Sequence, residues 1–368
     1  MARDIVWETK AEPFQGAFRE HFTLITSSRK YSMLPTPQLA ELALSLVRIP
    51  SESGREAEVA RFIESLATSQ GFVCEHIFVE ENRWNLLVTT GRYPQTLLTT
   101  HIDTVPGGPE PRIGNGVLWG RGSCDAKGIA AAMFCALCDL RSAGRQDIGL
   151  LLVVGEETRS DGAKVAAKKL APVRRFINGE PTELQFVSGQ KGVLKFTLSA
   201  TGKCAHSGYP ELGHSAIHTL LDVLQKLLSE PWPCDPRLGK TLVNVGVIEG
   251  GIAANVTAPS AGAQIIMRLA ASAEQTEARV RGLLPPNVAI EIDSISHPQV
   301  LNVPPGEKSI VVGYGSDVPH LRPLGEPLMY GPGSIHVAHT DHEHVSLADL
   351  ETARQKYMQI CLEESAIP

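Results

Sequence analysis

Three short apolar runs constrain the fold most: TLLTTH at 96–101, GLLLVVGEE at 149–157 and RRFINGEP at 174–181. Each has the length of a strand, and each ends on side chains that can bind a metal or move a proton: His101, the pair Glu156 and Glu157, and Glu180. Between them lie segments of helical period, KGIAAAMFCALCDLRSAG, in which Ile129, Met133, Leu137 and Leu140 recur on one face, and GAKVAAKKLA. Continuous apolar strands alternating with helices predict an α/β layer structure whose sheet is largely parallel and covered on both faces. In such a sheet functional groups gather just beyond the carboxyl ends of the strands, which is where these polar residues fall.

From Lys191 the pattern changes. KGVLKFTLSATG alternates like a half-exposed strand, SAIHTLLDVLQKLLSE is a helix, KTLVNVGVIEGG and AQIIMRLAAS are strands, EQTEARVRGLL is a helix and VAIEIDSI a strand. That order, β-α-β-β-α-β, is the ferredoxin-like α+β unit. At 368 residues the chain is long enough for two separate cores. The expected division is an N-terminal extension (1–34), a discontinuous catalytic domain (35–190 and 298–368), and an inserted domain (191–297). The catalytic domain opens with the helices TPQLAELALSLVRI and GREAEVARFIESLATSQGF, the latter with Val59, Phe62, Ile63 and Leu66 on one face, and closes with SLADLETARQKYMQICLEE.

A formal net charge of -6 with scattered Lys and Arg gives no basic stripe for nucleic acid. No stretch has the ~20 apolar residues of a membrane span, and the first residues have no apolar block of a signal peptide, so no membrane partner and a cytoplasmic location are expected. Seven cysteines spread between Cys74 and Cys361 fit reduced thiols better than a disulfide framework. Cys135 and Cys138, although spaced as a CxxC pair, sit in a helical apolar pattern and read as core thiols.

Two further residues join the strand-end groups: Asp103, two residues after His101, and Asp125 in the glycine-rich turn GRGSCDAKG. A last motif, YGPGSIHVAHTDHEHV, adds His339. Histidine nitrogen and carboxylate oxygen suit zinc and similar divalent ions, with no thiolate among them, which favours a catalytic over a structural site. Singly, each is more often a solvated carboxylate or a hydrogen-bonded histidine; together they are not easily explained that way. Adjacent Glu156 and Glu157 after an apolar strand are costly in a cleft unless a cation or proton compensates.

The ordered segments HIDTVP, GRGSCDAKG, GEE, GEPT, AHSGYPELG and AHTDHEHV resemble the M20 metallopeptidase family, which includes acetylornithine deacetylase, succinyl-diaminopimelate desuccinylase, aminoacylase and carboxypeptidase G. The resemblance runs from about Pro35 to the end of the sequence. It implies two divalent ions, usually zinc, with cobalt or manganese as alternatives. His101, Asp125 and Glu180 would hold one, Glu157 and His339 the other, with Asp125 bridging. Asp103 would accept the second imidazole N–H of His101 and fix its tautomer. Glu156 is left free to act as general base on a water activated between the ions, for attack on an amide carbonyl.

In this family the histidine matched by His206 reaches from the inserted lid toward the active site of a neighbouring subunit, which implies a homodimer through the lid domain. Asn255 and Arg268 match lid contacts to substrate, Arg268 as a fork for a carboxylate. Gly333, in GPG, would let the backbone approach the substrate, and GYGSD at 313–317 resembles the family's glycine-rich segment.

His336, His339, His342 and His344 crowd the last motif, and only the family pattern selects His339, leaving Glu343 as a structural partner. Ala205 and Thr100 stand where relatives often have glycine, without removing a ligand. The Asp125–Ala126 bond is expected to be cis. The reading is therefore a metal-dependent amide hydrolase that removes the acyl group of an N-acyl amino acid, acetylornithine being the model. An exopeptidase cleaving dipeptides or C-terminal residues is the enzyme alternative, together with a hydrolase of carrier-linked amino acids. A non-catalytic protein that kept the fold is the other class; the complete ligand set and base argue against it.

Overall fold

The computed structural model describes residues 36–363; the N-terminal extension expected at 1–34 lies outside them. Two amphipathic helices come first, α1 (Thr36–Arg48) and α2 (Ala57–Ser69). Strands β1 (Val73–Glu80), β2 (Arg83–Thr89) and β3 (Thr96–His101) follow, then helix α3 (Lys127–Ser142), strand β4 (Ile148–Val153), helix α4 (Asp161–Lys169) and strand β5 (Arg175–Asn178). The next unit contains β6 (Gly192–Thr201), α5 (Ala216–Ser229), β7 (Leu242–Gly250), β8 (Ser260–Leu269), α6 (Ala273–Gly282) and β9 (Val288–Ser296). The chain then returns with strand β10 (Glu326–Met329) and helix α7 (Leu347–Glu363).

The six-stranded central sheet has the order β1-β2-β4-β3-β5-β10. Pairings β4–β3, β3–β5 and β5–β10 are parallel, while β1–β2 and β2–β4 are antiparallel, so the expected parallel sheet carries an antiparallel hairpin at one edge. Strands β3 and β4 are buried at every position, as apolar runs covered on both faces must be. One face packs on α1, α2, α3 and α7; α4 lies on the other with Val318 and Leu321. Helix α3 is buried from Lys127 to Leu140, and its small residues let it lie flat on the sheet. Cys135 and Cys138 are free thiols of this core, and burial raises both above their usual pKa.

The second unit is a four-stranded antiparallel sheet in the order β7-β8-β6-β9, the ferredoxin-like arrangement read from the pattern. One face of it packs on α5 and α6 around Leu194, Phe196, Leu198, Leu224, Ile265 and Met267, a core distinct from that of the central sheet. Ser215 and Ser272 cap the two helices by accepting from His218 N and Gln275 N. The strand before this unit, Phe186–Gln190, pairs antiparallel with Gln299–Val300 just after it and parallel with Ser309–Val312, so the chain enters and leaves side by side. Among the described residues no helix is long and apolar enough to cross a membrane.

Phe196 is fully buried in the smaller core. Phe196→Ala should cost about 3–5 kcal/mol by removing a buried ring and leaving a cavity, read as a lower urea midpoint for that unit.

Candidate metal centre and active site

The ends of β3, β4 and β5 converge with the turn before α3 and the loop that carries His339. Asp125 stands at the centre. Its Oδ1 is 2.9 Å from His101 Nε2, and its Oδ2 is 3.4 Å from His339 Nε2, which lies 2.9 Å from Glu157 Oε1. Two donor groups result, His101–Asp125–Glu180 and Asp125–Glu157–His339, each with its ligand atoms within 4.8 Å of one another and with Asp125 common to both. Asn178 Nδ2 donates to Glu180 Oε1 at 3.2 Å. Asn178 is the last residue of β5, and Glu180 follows two residues beyond the strand's end.

The tautomer of His101 follows from its neighbours. Nδ1 lies 2.9 Å from the main-chain carbonyl of Asp103, which can only accept, so Nδ1 carries the proton and Nε2 faces Asp125. The Asp103 carboxylate is farther, 3.5 Å from Nδ1. The imidazole thus has both groups of Asp103 beside it, the carbonyl making the shorter contact. The carboxylate accepts instead from Glu156 N and Glu157 N, each at 3.1 Å, and from Ser53 Oγ at 2.7 Å. It therefore shapes the turn that presents both glutamates. Ser53 lies too far away in sequence for spacing to have revealed it.

A second buried carboxylate, Glu343, builds the Asp125 turn. Its Oε1 accepts from Gly122 N at 2.8 Å, Cys124 N at 3.3 Å and Asp125 N at 3.2 Å, and its Oε2 pairs with Arg121. The Asp125–Ala126 peptide is cis, as expected, and His339 adopts the left-handed backbone with φ of 63°.

The electrostatics describe a site that wants positive charge. Burial lifts the Glu156 carboxyl well above its usual range; His101 opposes this, while Glu180, Asp317 and Glu157 add to it. Burial likewise lifts Glu180. Burial alone would depress His101, but hydrogen bonds to Asp103 and Asp125 hold it well above its ordinary value. Hydrogen bonds to Asp125 and Glu157 lift His339 to about 10. In both cases the surrounding carboxylates favour positive charge, which a divalent cation brings. Two imidazole nitrogens, three converging carboxylates and no thiolate fit a pair of hard or borderline divalent ions.

Asp125, Glu156, Glu157, Glu180 and His339 line one wall of a cavity of about 320 Å³. The opposite wall belongs to the ferredoxin-like sheet and includes Val193, Lys195, Ile266, Arg268, Ser294 and Ser296. Arg268, expected from the sequence, is thus brought to the site. His206 and Asn255 are exposed, in adjoining loops where Asn255 O accepts from Ser207 N, and they are not among the residues that line the cavity. Gly333 also lies outside the lining; a Cβ there would come within 2.6 Å of Cys124 Sγ, so its lack of a side chain serves packing behind the Asp125 turn.

Residues 97–363 match the family model described as Peptidase family M20/M25/M40. A probable carboxypeptidase of Aspergillus terreus is 39% identical over 93% of this chain and 90% of its own. The fold is shared with the aminopeptidase PepT of Bacillus cereus, at TM-score 0.73 and 21% identity over 89% of this chain and 98% of that one. It is shared too with an M20 family metallo-carboxypeptidase of Sulfolobus solfataricus, at TM-score 0.70 and 15% identity over 88% and 98%. The chain belongs to the M20 peptidase family. It is a metallohydrolase of linear amide or peptide bonds.

Asp103→Ala removes the acceptor shared by Glu156 N, Glu157 N and Ser53. Apparent affinity for zinc should fall about 10- to 100-fold in a chelator competition, the range for loss of a group that orients ligands. Unchanged affinity would mean that the turn holds its shape without Asp103.

Proposed function

We propose that the protein is a carboxypeptidase of dipeptide-sized substrates, releasing a C-terminal amino acid; an N-acyl amino acid is the smallest molecule of the same kind. The observation that carries this reading is Arg268: half-buried on the cavity wall facing the carboxylate cluster, with no ion pair or side-chain hydrogen bond among the described residues. A guanidinium left in this state favours a planar carboxylate that arrives with the substrate. The naming of the Aspergillus terreus relative as a probable carboxypeptidase agrees with it, and a cavity near 320 Å³ suits a small substrate better than a long peptide. An amino-acid deacylase on the acetylornithine model shares every group and differs only in what fills the acyl side.

In this reading His101, Asp125 and Glu180 would hold one divalent ion and Asp125, Glu157 and His339 the other, zinc being first choice and cobalt or manganese next. When bound, such a pair polarises the scissile carbonyl and makes a water acidic enough to react near neutral pH. Glu156 takes the water's proton and then gives it to the leaving amine. Arg268 fixes the carboxylate of the leaving residue, so the scissile bond lies over the cluster.

The division into a catalytic domain (35–190 and 298–368) and an inserted lid (191–297) belongs to the same proposal. The lid offers a surface for a second copy: an apolar groove lined by Leu221, Leu224, Leu228 and Val245, beside edge strand β7 with exposed Leu242, Val247 and Ile248. In such a homodimer His206 would serve the partner's site. The free cysteines fit the reducing cytoplasm.

Glu156→Gln should lower kcat roughly 100- to 10,000-fold with metal content unchanged. Arg268→Met should raise KM for dipeptides, and C-terminal amidation of the substrate should abolish cleavage by the wild type. Equal turnover of amidated and free peptides would overturn the carboxypeptidase reading.

A further inference from the structure

Asp103 holds the turn of Glu156 and Glu157 by its peptide N–H groups, and two residues of β2 hold the same turn at its base. The first is Asn85, fully buried. On the side of the site, the main-chain pairing of β2 with β4 ends at Leu86 and Leu152. Beyond it the Asn85 side chain takes over: Oδ1 accepts from Val154 N at 3.1 Å, and Nδ2 donates to the carbonyl of Gly162 at 2.8 Å. Gly162 N also donates to the Val154 carbonyl at 3.2 Å, so residues 154 and 162 are pinned together and the segment between them is a closed loop.

The second is Arg83, the first residue of β2, which lies outside the cavity lining. Its guanidinium forks between two carboxylates. Nε and Nη2 donate to Glu56 at 3.1 Å each, and Nη1 and Nη2 donate to Asp161 at 2.8 and 3.2 Å. Glu80, mostly exposed, lies 3.5 Å from Nη1. Glu56 is buried just before α2, and Asp161 opens α4, where its Oδ1 also accepts from Gly162 N at 2.9 Å. This pair rests directly against the turn. Gly155, the residue before Glu156, has a φ of 74°, and a Cβ on it would come 2.0 Å from Asp161 Oδ1 and 2.8 Å from Arg83 Nη2. Two-point contacts of a planar fork fix direction as well as distance, which a single contact does not.

We propose that Arg83 is a positioning residue for the reaction: through Asp161 it fixes the Gly155 end of the turn, and so the directions in which Glu156 and Glu157 point. This rests on the reading of Glu156 as general base and Glu157 as a metal ligand. Of the two donor groups, only Asp125–Glu157–His339 draws on this turn, whereas His101–Asp125–Glu180 does not. The clamp therefore has a signature that a general loss of stability lacks: its removal loosens one ion of the two.

The test uses the full chain as wild type, Asp161→Ala and Arg83→Lys. Asp161→Ala leaves the Arg83–Glu56 pair in place and severs only the arm on the turn; Arg83→Lys keeps the charge and loses the fork. Zinc binding is followed by chelator competition, with kcat and KM of the zinc-loaded forms for a dipeptide and the thermal midpoint beside it. In both variants one zinc of the two should bind about 10- to 100-fold more weakly, the range for loss of a group that orients ligands. The kcat should fall by up to about 100-fold, the scale of a small misplacement of a reacting group, with KM and the other zinc unchanged. Two ions held as in the wild type with kcat unchanged, or both ions loosened equally, would overturn the proposal and leave Arg83 as a tie between α2 and α4. Full activity of Glu156→Gln would overturn the reading of Glu156 as base instead, and the zinc asymmetry would then still decide whether Arg83 positions Glu157.

Discussion

The Asp103 carboxylate is the contact on which the site depends. It is fully buried at the end of β3, and it accepts from the two backbone N–H groups that begin the Glu156–Glu157 turn at the end of β4. Its own carbonyl holds the imidazole of His101. One residue thus ties together a ligand on one strand with a base and a ligand on the next. Burying a carboxylate is costly unless its oxygens are satisfied. Here Ser53, two peptide N–H groups and the nearby imidazole meet that need and hold its pKa below the usual carboxylate range. Burial by itself would push it the other way.

Glu343 solves the same problem for Asp125. Peptide N–H groups along the 122–125 turn point at one carboxylate oxygen, and Arg121 balances the other. The protein therefore spends two buried anions on shaping the backbone around a cluster that is itself anionic. Such crowding of negative charge has a physical rationale when cations share the site, and the raised pKa values of His101 and His339 are its trace in the protein alone.

Much of this was legible in the sequence because the central strands are continuous apolar runs whose polar groups begin where the strands end. His101, Glu156, Glu157 and Glu180 could be placed at one edge of a sheet from that pattern alone, and the alternation after Lys191 gave the ferredoxin-like unit with its strand order. The antiparallel β1–β2 edge was not legible, since apolar content does not reveal strand direction. Neither was the work of the Asp103 carboxylate, nor the share of Ser53 in it, because those bonds join segments that only the fold brings together. Arg268 could be named from the resemblance, whereas its place on the wall facing the carboxylates could not, because that wall belongs to a separate unit.

The paired segments 186–190 and 299–300, by which the chain enters and leaves the smaller unit, have a mechanical meaning. With Ser309–Val312 they form a three-stranded sheet packed into the larger body, from which two segments of chain cross as a strap to the body with its own core, and the cavity has one wall on each body. A molecule gripped by both walls acts as a brace across that strap. Its fit is then set by how the two bodies lean on each other as well as by the residues it touches. Changes buried within the smaller core, remote from any reacting atom, can therefore retune what the enzyme accepts.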